Sequence, residues 1–271
     1  MKYADLHVHT CCSDGTYTPA QLVKEAIARG ISVLAIVDHD TTEAIAEALT
    51  LARGTDLEII PGIELTAQHE NQEIHILGYF LDFKNKELLE QLKLMQINRI
   101  ERVHKIIKNL AGLGLKLDPA TVFAISGKAS VGRMHIARAL VKNGLVGSTA
   151  EAFRKYIGDK SPAYVLGFRL GVEDAIKLIH TAGGLAVLAH PYMLRNDALI
   201  DKFASYGLDG IEVHYPEHSQ SMVNFYLDLA KKLNLLVTGG TDFHGTAKPE
   251  IKLGMIKIHL DLVEKLRQAK K

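Results

Sequence analysis

Residues 3–38 read YADLHVHTCCSDGTYTPAQLVKEAIARGISVLAIVD, and this stretch sets the architecture. Its two ends, near residues 3–9 and 32–38, are short apolar runs with β-branched residues that read as strands. Between them, Thr18 to Arg29 has a Thr cap, Pro at the first helical position, apolar residues at helical spacing, and Gly30 to stop it. Strand, helix and strand in this order make a βαβ unit. Thr42–Ala52, Val172–Ala182 and Ser221–Leu233 repeat the helical pattern, and further strand signals fall near residues 57–64, 73–80, 185–190, 210–215 and 235–240. The alternation predicts an α/β fold with a mostly parallel sheet closed into a barrel. The 57–64 and 73–80 strands break the alternation. Only the polar turn around His69-Glu70-Asn71-Gln72 joins them, too short for a crossover helix, so the barrel is expected to be irregular there.

Between Phe83 and about Gly167 the strand signal disappears. Ile100, Val103, Ile107 and Leu110 make a helical stripe, Asp118-Pro119 opens another helix, and a third starts near Gly132 and ends at Gly144. Ser148 and Glu151 have capping-box spacing for a short further helix. The expected organisation is therefore a barrel from residues 1–83 and 168–271, with residues 84–167 as a helical insertion covering the active-site mouth.

Composition narrows the function. Lys plus Arg (32) balance Asp plus Glu (31), so no global basic field would recruit long duplex nucleic acid. The start of the chain lacks a basic, apolar leader, and no run of apolar residues reaches membrane-spanning length; a cytoplasmic protein is expected. Adjacent Cys11 and Cys12 suit neither a disulfide framework nor a zinc ribbon. The outlying number is 13 histidines.

Their positions matter more than their number. His7 and His9 lie two apart at the end of the first strand, where alternate residues face the same side. Asp38-His39-Asp40 ends the second strand, Glu64 the third, and His75 lies in the fourth; His190-Pro191 ends the fifth and Asp242-Phe243-His244 follows the seventh. In a parallel α/β barrel the C-terminal strand ends converge on one face, so these groups are expected to meet. Burying that many ionisable groups together calls for compensating cations. The mixed imidazole and carboxylate set suits Mn²⁺, Zn²⁺ or Fe²⁺ better than Ca²⁺ or Mg²⁺.

With these residues in place, the sequence resembles the PHP (polymerase and histidinol phosphatase) superfamily of metal-dependent phosphoesterases. His7-x-His9 with Ser13-Asp14-Gly15 is similar to its first motif, Asp38-His39-Asp40 to its second, His190-Pro191 to its third and Asp242-x-His244 to its fourth. Pro61-Gly62-Ile63-Glu64 and His75-Ile76-Leu77-Gly78 resemble the segments carrying the bridging glutamate and a neighbouring histidine. The resemblance implies a distorted (β/α)7 TIM-like barrel and a trinuclear site with ligands His7, His9, Asp14, His39, Glu64, His75, His190, Asp242 and His244. It assigns His7, His9, Glu64 and Asp242 to one ion, Asp14, His39 and His244 to a second, and Glu64, His75 and His190 to a third. A water shared between metals would be the nucleophile, with Glu64, Asp242 and His244 the residues on which catalysis depends most directly. Asp5, Asp38 and Asp40 are candidates for orienting the imidazoles, Asp5 alternatively for holding backbone.

Gly132-Arg133-Met134-His135 resembles the arginine-x-histidine helix start of a PHP branch acting on nucleoside 3′,5′-bisphosphates and the 5′ ends of short RNA, although that branch commonly has Pro at the position of Met134. Arg133 and His135 would then form an anion-binding corner. Lys160, Tyr164 and Arg169 are candidates for a further phosphate contact and a base-stacking face, and His214, at a strand end, for touching substrate. Arg99 and Arg102 read as an exposed helical face, and His69, His104, His180, His218 and His259 as ordinary residues. The expected substrate is a small phosphorylated molecule, a nucleotide or short single-stranded RNA. The alternatives are a histidinol-phosphate-type phosphatase, an amidohydrolase-type barrel, for which no strand-end Lys offers itself, and a metal-binding module without catalysis.

Overall fold

The computed structural model describes residues 2–70, 72–127, 129–167 and 169–270, so Asn71 of the expected turn and the expected boundary at residue 168 lie outside it. The chain runs β1 (Tyr3–Val8), α1 (Pro19–Ala28), β2 (Ile31–Ile36), α2 (Glu43–Ala52), β3 (Glu58–His69), β4 (Gln72–Tyr79) and the long α3 (Lys86–Gly112). It continues through α4 (Pro119–Ser126), α5 (Arg133–Lys142), α6 (Thr149–Ala152) with a π-helical turn over Phe153–Ile157, β5 (Leu170–Gly171), α7 (Val172–Thr181) and β6 (Leu185–Leu188). The last elements are α8 (Ala198–Ser205), β7 (Gly210–His214), α9 (Gln220–Leu233), β8 (Leu236–Gly239) and α10 (Leu260–Ala269).

Local chemistry accounts for the first repeat. Thr18 accepts the Gln21 N–H at 3.2 Å while Gln21 Oε1 accepts the Thr18 N–H at 2.9 Å, a reciprocal cap that starts α1 beside Pro19. Leu22, Val23 and Ala26 form its buried stripe, and Gly30 ends it with φ of 71°. These side chains pack with Ile31, Leu34 and Ile36 of β2 and Ala44 and Ala48 of α2 into one core. Burying each large aliphatic side chain contributes about 1.5–3 kcal/mol.

The strands follow the order β1-β2-β3-β4-β6-β7-β8, with β5 on β3 off this path. β1–β2, β2–β3, β6–β7 and β7–β8 pair in parallel, whereas β4 is antiparallel to both β3 and β6. A parallel Val8–Phe243 bridge and an antiparallel Ala4–Ile258 bridge join β1 to the segments after β8, completing a distorted barrel. Two elements differ from expectation. β3 runs to His69 because its antiparallel ladder with β4 continues to the His69–Gln72 pair, and the two-residue β5 is too short to leave a periodic signal.

The described residues form two compact units: those up to Gln91 with those from Arg169 onward, and the segment beginning at Leu92 between them. In the second unit no strand occurs among the described residues. Its core joins Val103, Ile107 and Leu110 of α3 to Val122 of α4 and Ile136 and Leu140 of α5, while Ile100 of the expected stripe is exposed. Asp118 caps α4 through the Ala120 N–H at 2.9 Å, and Ser148 caps α6 through the Glu151 N–H at 3.1 Å. Arg99 and Arg102 bond to the carbonyls of Val131 (3.3 Å) and Val165 (2.8 Å), so the backbone of the returning chain takes up side chains expected on an exposed face. Among the described residues, no helix is long and apolar enough to cross a membrane. Cys11 and Cys12 are free thiols.

Candidate metal centre

The strand ends bring the expected residues together in the barrel unit. His7 lies in β1, His9 just beyond it and Asp14 on the following loop; His39 pairs with Glu64 across a parallel bridge between the end of β2 and the middle of β3. His75 comes from β4, and His190, Asp242 and His244 from the segments after β6 and β8. Close backbone approaches make this possible. A Cβ on Gly62, two residues before Glu64, would lie 2.9 Å from the carbonyl oxygens of both Ile36 and Gly78, and one on Gly240 would lie 2.3 Å from the His7 nitrogen. Asp40, His190 and Asp242 hold positive φ values of 51°, 27° and 53°, so three of the strained non-glycine positions fall at the site.

Glu64 is the hub. Its Oε2 lies 3.3 Å from His7 Nε2, 3.2 Å from His9 Nε2 and 3.3 Å from His39 Nδ1, while Oε1 lies 2.8 Å from His75 Nδ1 and 3.2 Å from His190 Nε2. Asp242 Oδ1 is 3.4, 3.1 and 3.4 Å from nitrogens of His7, His9 and His244, and Asp14 Oδ1 is 3.0 Å from His244 Nε2. Among the described residues, three groups have donor atoms close enough to share an ion: His9, Asp14, His39 and His244; His7, His9 and Asp242; and His39, Glu64 and His75.

This donor set fits metal ions. Ligand atoms held about 2.0–2.2 Å from one ion stand roughly 2.8–3.6 Å from one another in octahedral or tetrahedral geometry; the donor pairs around Glu64 and Asp242 and the Asp14–His244 pair fall in that range, and His9 Nδ1 and Asp14 Oδ1 are wider apart at 4.0 Å. His7 Nε2 and His9 Nε2 face each other at 3.2 Å, and Asp14 Oδ1 and His39 Nδ1, though close to His244 and Glu64, are buried without a well-aligned hydrogen bond among the described residues. Burial opposes charge on His7, His9, Asp14, His39, Glu64, His75 and Asp242, and the site resolves it by opposite shifts. At His9, bonds to Asp242 and Glu64 overcome burial and carry the imidazole up to about 9; at His75, Glu64 and Glu73 carry it up to about 10; and His7 is also raised. Burial raises the Asp14, Glu64 and Asp242 carboxyls, but the surrounding imidazoles and, at Asp242, Lys248 overturn that and hold all three well below the usual range. His39, pushed down to about 3 by burial, keeps a free lone pair. The cluster calls for positive charge and is able to bind metal.

The supporting contacts differ from the expected ones. Asp38 accepts from Thr10 N (2.7 Å), Thr10 Oγ1 (2.6 Å) and Ser13 Oγ (2.6 Å), and Asp5 accepts from Thr241 N (2.9 Å), Thr241 Oγ1 (2.7 Å) and Gly254 N (2.9 Å). Asp5 therefore holds backbone and loop, while Asp38 ties its loop and reaches an imidazole only through Ser13, whose Oγ lies 3.5 Å from His9 Nδ1. Asp40 accepts the Thr66 N–H at 2.8 Å. Two carboxylates that do orient imidazoles are Glu73, whose Oε1 lies 3.0 Å from His75 Nε2, and Glu212, whose Oε1 meets His7 Nδ1 at 2.9 Å while Oε2 accepts the His190 N–H at 2.8 Å. The signal of Glu212 in the sequence was a lone acidic residue between Ile211 and Val213 in an apolar strand. Asp242 Oδ2, in turn, accepts from Tyr215 Oη at 2.8 Å and Lys248 Nζ at 2.7 Å.

The expected substrate residues are placed unevenly. A register shift between Glu212 and His214 lets Tyr215, rather than His214, reach Asp242; the Tyr215 ring also packs against His190 at 5.6 Å between centroids. Arg169 is buried on Glu73, whose Oε1 lies 3.0 Å from His75 Nε2, so it backs a member of the cluster instead of lying open for phosphate. In the helical unit, Arg133 pairs with Asp159 at 2.7 Å and lies over the Tyr164 ring at 5.4 Å, with Arg102 also stacked on Tyr164 at 5.5 Å. His135 is buried and its Nδ1 accepts the Gly132 N–H at 3.1 Å, so it fixes the start of α5 from inside rather than forming an open anion contact. Lys160 is exposed in a turn with φ of 65°.

Comparison with known proteins agrees with this geometry. The PHP domain profile matches residues 5–181. A 5′-3′ exoribonuclease of Haemophilus influenzae is 34% identical over 97% of this chain and 96% of its own length. A 3′,5′-nucleoside bisphosphate phosphatase of Chromobacterium violaceum is 33% identical over 90% of this chain and 88% of its own. A solved structure from Bifidobacterium adolescentis, described as a candidate metal-dependent phosphoesterase, superposes with a TM-score of 0.90 at 32% identity, covering 97% of this chain and 94% of that one. Strand order, converging ligand set and these similarities lead to one conclusion: the chain belongs to the PHP domain family and is a metal-dependent phosphoesterase.

Proposed function

We propose that the cluster holds two or three divalent transition-metal ions, Mn²⁺ foremost with Zn²⁺ or Fe²⁺ as alternatives, and that the enzyme acts on nucleoside 3′,5′-bisphosphates or the 5′ ends of short RNA. The observation that carries the metal reading is the close approach of imidazole and carboxylate donors in overlapping groups, such as 3.1 Å between His9 and Asp242, 3.0 Å between Asp14 and His244 and 2.8 Å between Glu64 and His75. His7, His9, Glu64 and Asp242 would hold one ion, Asp14, His39 and His244 a second, and Glu64, His75 and His190 a third. His9, within reach of Asp14 and His244, and His39, within reach of Glu64 and His75, would be shared edges of these groups. When bound, the ions supply an acidified water as nucleophile and neutralise the phosphoryl and leaving oxygens. Glu64 spaces the groups, Glu212 keeps the His7 proton on Nδ1, and Tyr215 and Lys248 hold Asp242 so that Oδ1 faces the imidazoles.

The nucleotide reading is supported by relatives of that kind matching nearly the whole chain. A second phosphate needs its own cation. Arg133, stacked on Tyr164 in the helical unit, supplies a guanidinium of the right type. Two free cysteines suit a cytoplasmic setting, where thiols stay reduced. The test is a panel of nucleoside mono- and bisphosphates, histidinol phosphate and short 5′-phosphorylated oligoribonucleotides, assayed with Mn²⁺. Preference for a bisphosphate or oligoribonucleotide is expected. A clear preference for histidinol phosphate or a simple monoester would overturn the substrate assignment.

A further inference from the structure

An ammonium group carries three N–H donors, and the hydrogen bond that Lys248 makes within the barrel unit uses one of them, to Asp242 Oδ2 at 2.7 Å. That oxygen already accepts from Tyr215 at 2.8 Å, so Asp242 is held even without the lysine. The Lys248 side chain is 29% exposed. Asp14 and Glu64 also act on its charge, so the ammonium lies within the field of carboxylates belonging to all three donor groups. Asp242 Oδ1, on the other side of the same carboxylate, stands 3.1 Å from His9 Nε2 and 3.4 Å from His244 Nδ1. A cation at the rim of the cluster, with two donors not engaged by any hydrogen bond among the described residues, is suited to gripping an anion that enters from solvent.

We propose that Lys248 is a substrate-contacting residue, whose ammonium group binds a non-bridging oxygen of the scissile phosphoryl group while keeping its bond to Asp242. The inference rests on the phosphoesterase reading and deepens it. Metals occupying the cluster compensate Asp242, so the lysine charge becomes available to the phosphate, and lengthening a charge-assisted bond on one side is repaid by forming another. The lysine would act on every substrate, because each carries the reacting phosphoryl group.

The test uses the metal-loaded full chain and inorganic phosphate as the probe. Lys248→Met is expected to weaken phosphate binding, read by calorimetry and by product inhibition, and to lower kcat/KM on p-nitrophenyl phosphate, each by roughly ten- to a hundredfold. Ions bound per chain should stay at the wild-type number, and Lys248→Arg should recover part of the phosphate affinity. Unchanged phosphate affinity in Lys248→Met would overturn the proposal. So would a loss of bound metal whose repair by excess Mn²⁺ restores phosphate binding, since that places the lysine only behind Asp242. If Lys248→Met fails to fold, Lys248→Gln gives the same reading. Failure of the wild-type enzyme to hydrolyse any phosphate ester would defeat the functional reading instead, while phosphate binding would still report on the lysine.

Discussion

Glu212→Gln keeps the size of the side chain and removes its charge, and the geometry dictates what must go wrong. In the native site Oε1 meets His7 Nδ1 and Oε2 accepts the His190 N–H. A glutamine offers one acceptor and one donor. If its oxygen stays on the His190 N–H, its NH₂ faces His7 Nδ1, which must become the acceptor and send its proton to Nε2, the nitrogen that faces His9 and Glu64. If the amide turns over, its NH₂ opposes the His190 N–H and the left-handed turn at His190 loses its anchor. Both residues are fully or nearly fully buried, so water does not repair either choice. One charge-assisted contact is lost, worth about 1.5–3 kcal/mol, and carboxylate partners of metal-binding imidazoles typically carry ten- to a hundredfold in affinity, about 1.4–2.8 kcal/mol. We expect metal affinity, measured by calorimetric titration of chelator-stripped protein, to fall by that factor, with kcat recovering partly at saturating Mn²⁺. Wild-type affinity in Glu212→Gln would refute the reasoning.

Because His9 and His75 are raised to about 9 and 10, both imidazoles are mostly protonated at pH 7 before metal arrives, so loading should release protons and affinity should fall as pH drops below 9. Calorimetry in buffers of different ionisation enthalpy measures this, and loading at pH 7 without proton release would contradict it. Arg133→Ala should lower kcat/KM on a nucleoside 3′,5′-bisphosphate by about one to two orders of magnitude while sparing p-nitrophenyl phosphate, which lacks the second anion. Equal losses on both would assign Arg133 to the fold, through its pairing with Asp159 and Tyr164.

The parts of the site that could be read in the sequence are those where residue type and strand position coincide. His7, His9, Glu64, His75, His190, Asp242 and His244 lie in strands or just after them, so the convergence rule of barrels brings them together without knowledge of any contact. Support from behind follows a different logic. Lys248 reaches Asp242 from an irregular segment, and Tyr215 replaces His214 because of a register shift that no periodicity encodes. Asp5 and Asp38 had the right residue type and neighbourhood for orienting histidines, but the nearer Thr and backbone donors claimed them. Arg169 has the residue type for the further phosphate contact expected with Lys160 and Tyr164, and burial against Glu73 gives it another task. In the helices, caps such as Thr18 with Gln21 are local and therefore legible, whereas the π-helical turn at Phe153–Ile157 and the two-residue β5 depend on tertiary context.

The most direct test of the central claim is the metal content of protein purified without chelator, measured by elemental analysis alongside phosphatase activity. The donor arrangement predicts two or three transition-metal ions per chain, lost with activity on chelation and regained with Mn²⁺; Glu64→Gln should lower both the ion count and the rate, because its carboxylate faces His7, His9, His39, His75 and His190 at once. A well-folded protein that stays metal-free and inactive after addition of Mn²⁺, Zn²⁺ and Fe²⁺ would contradict the account.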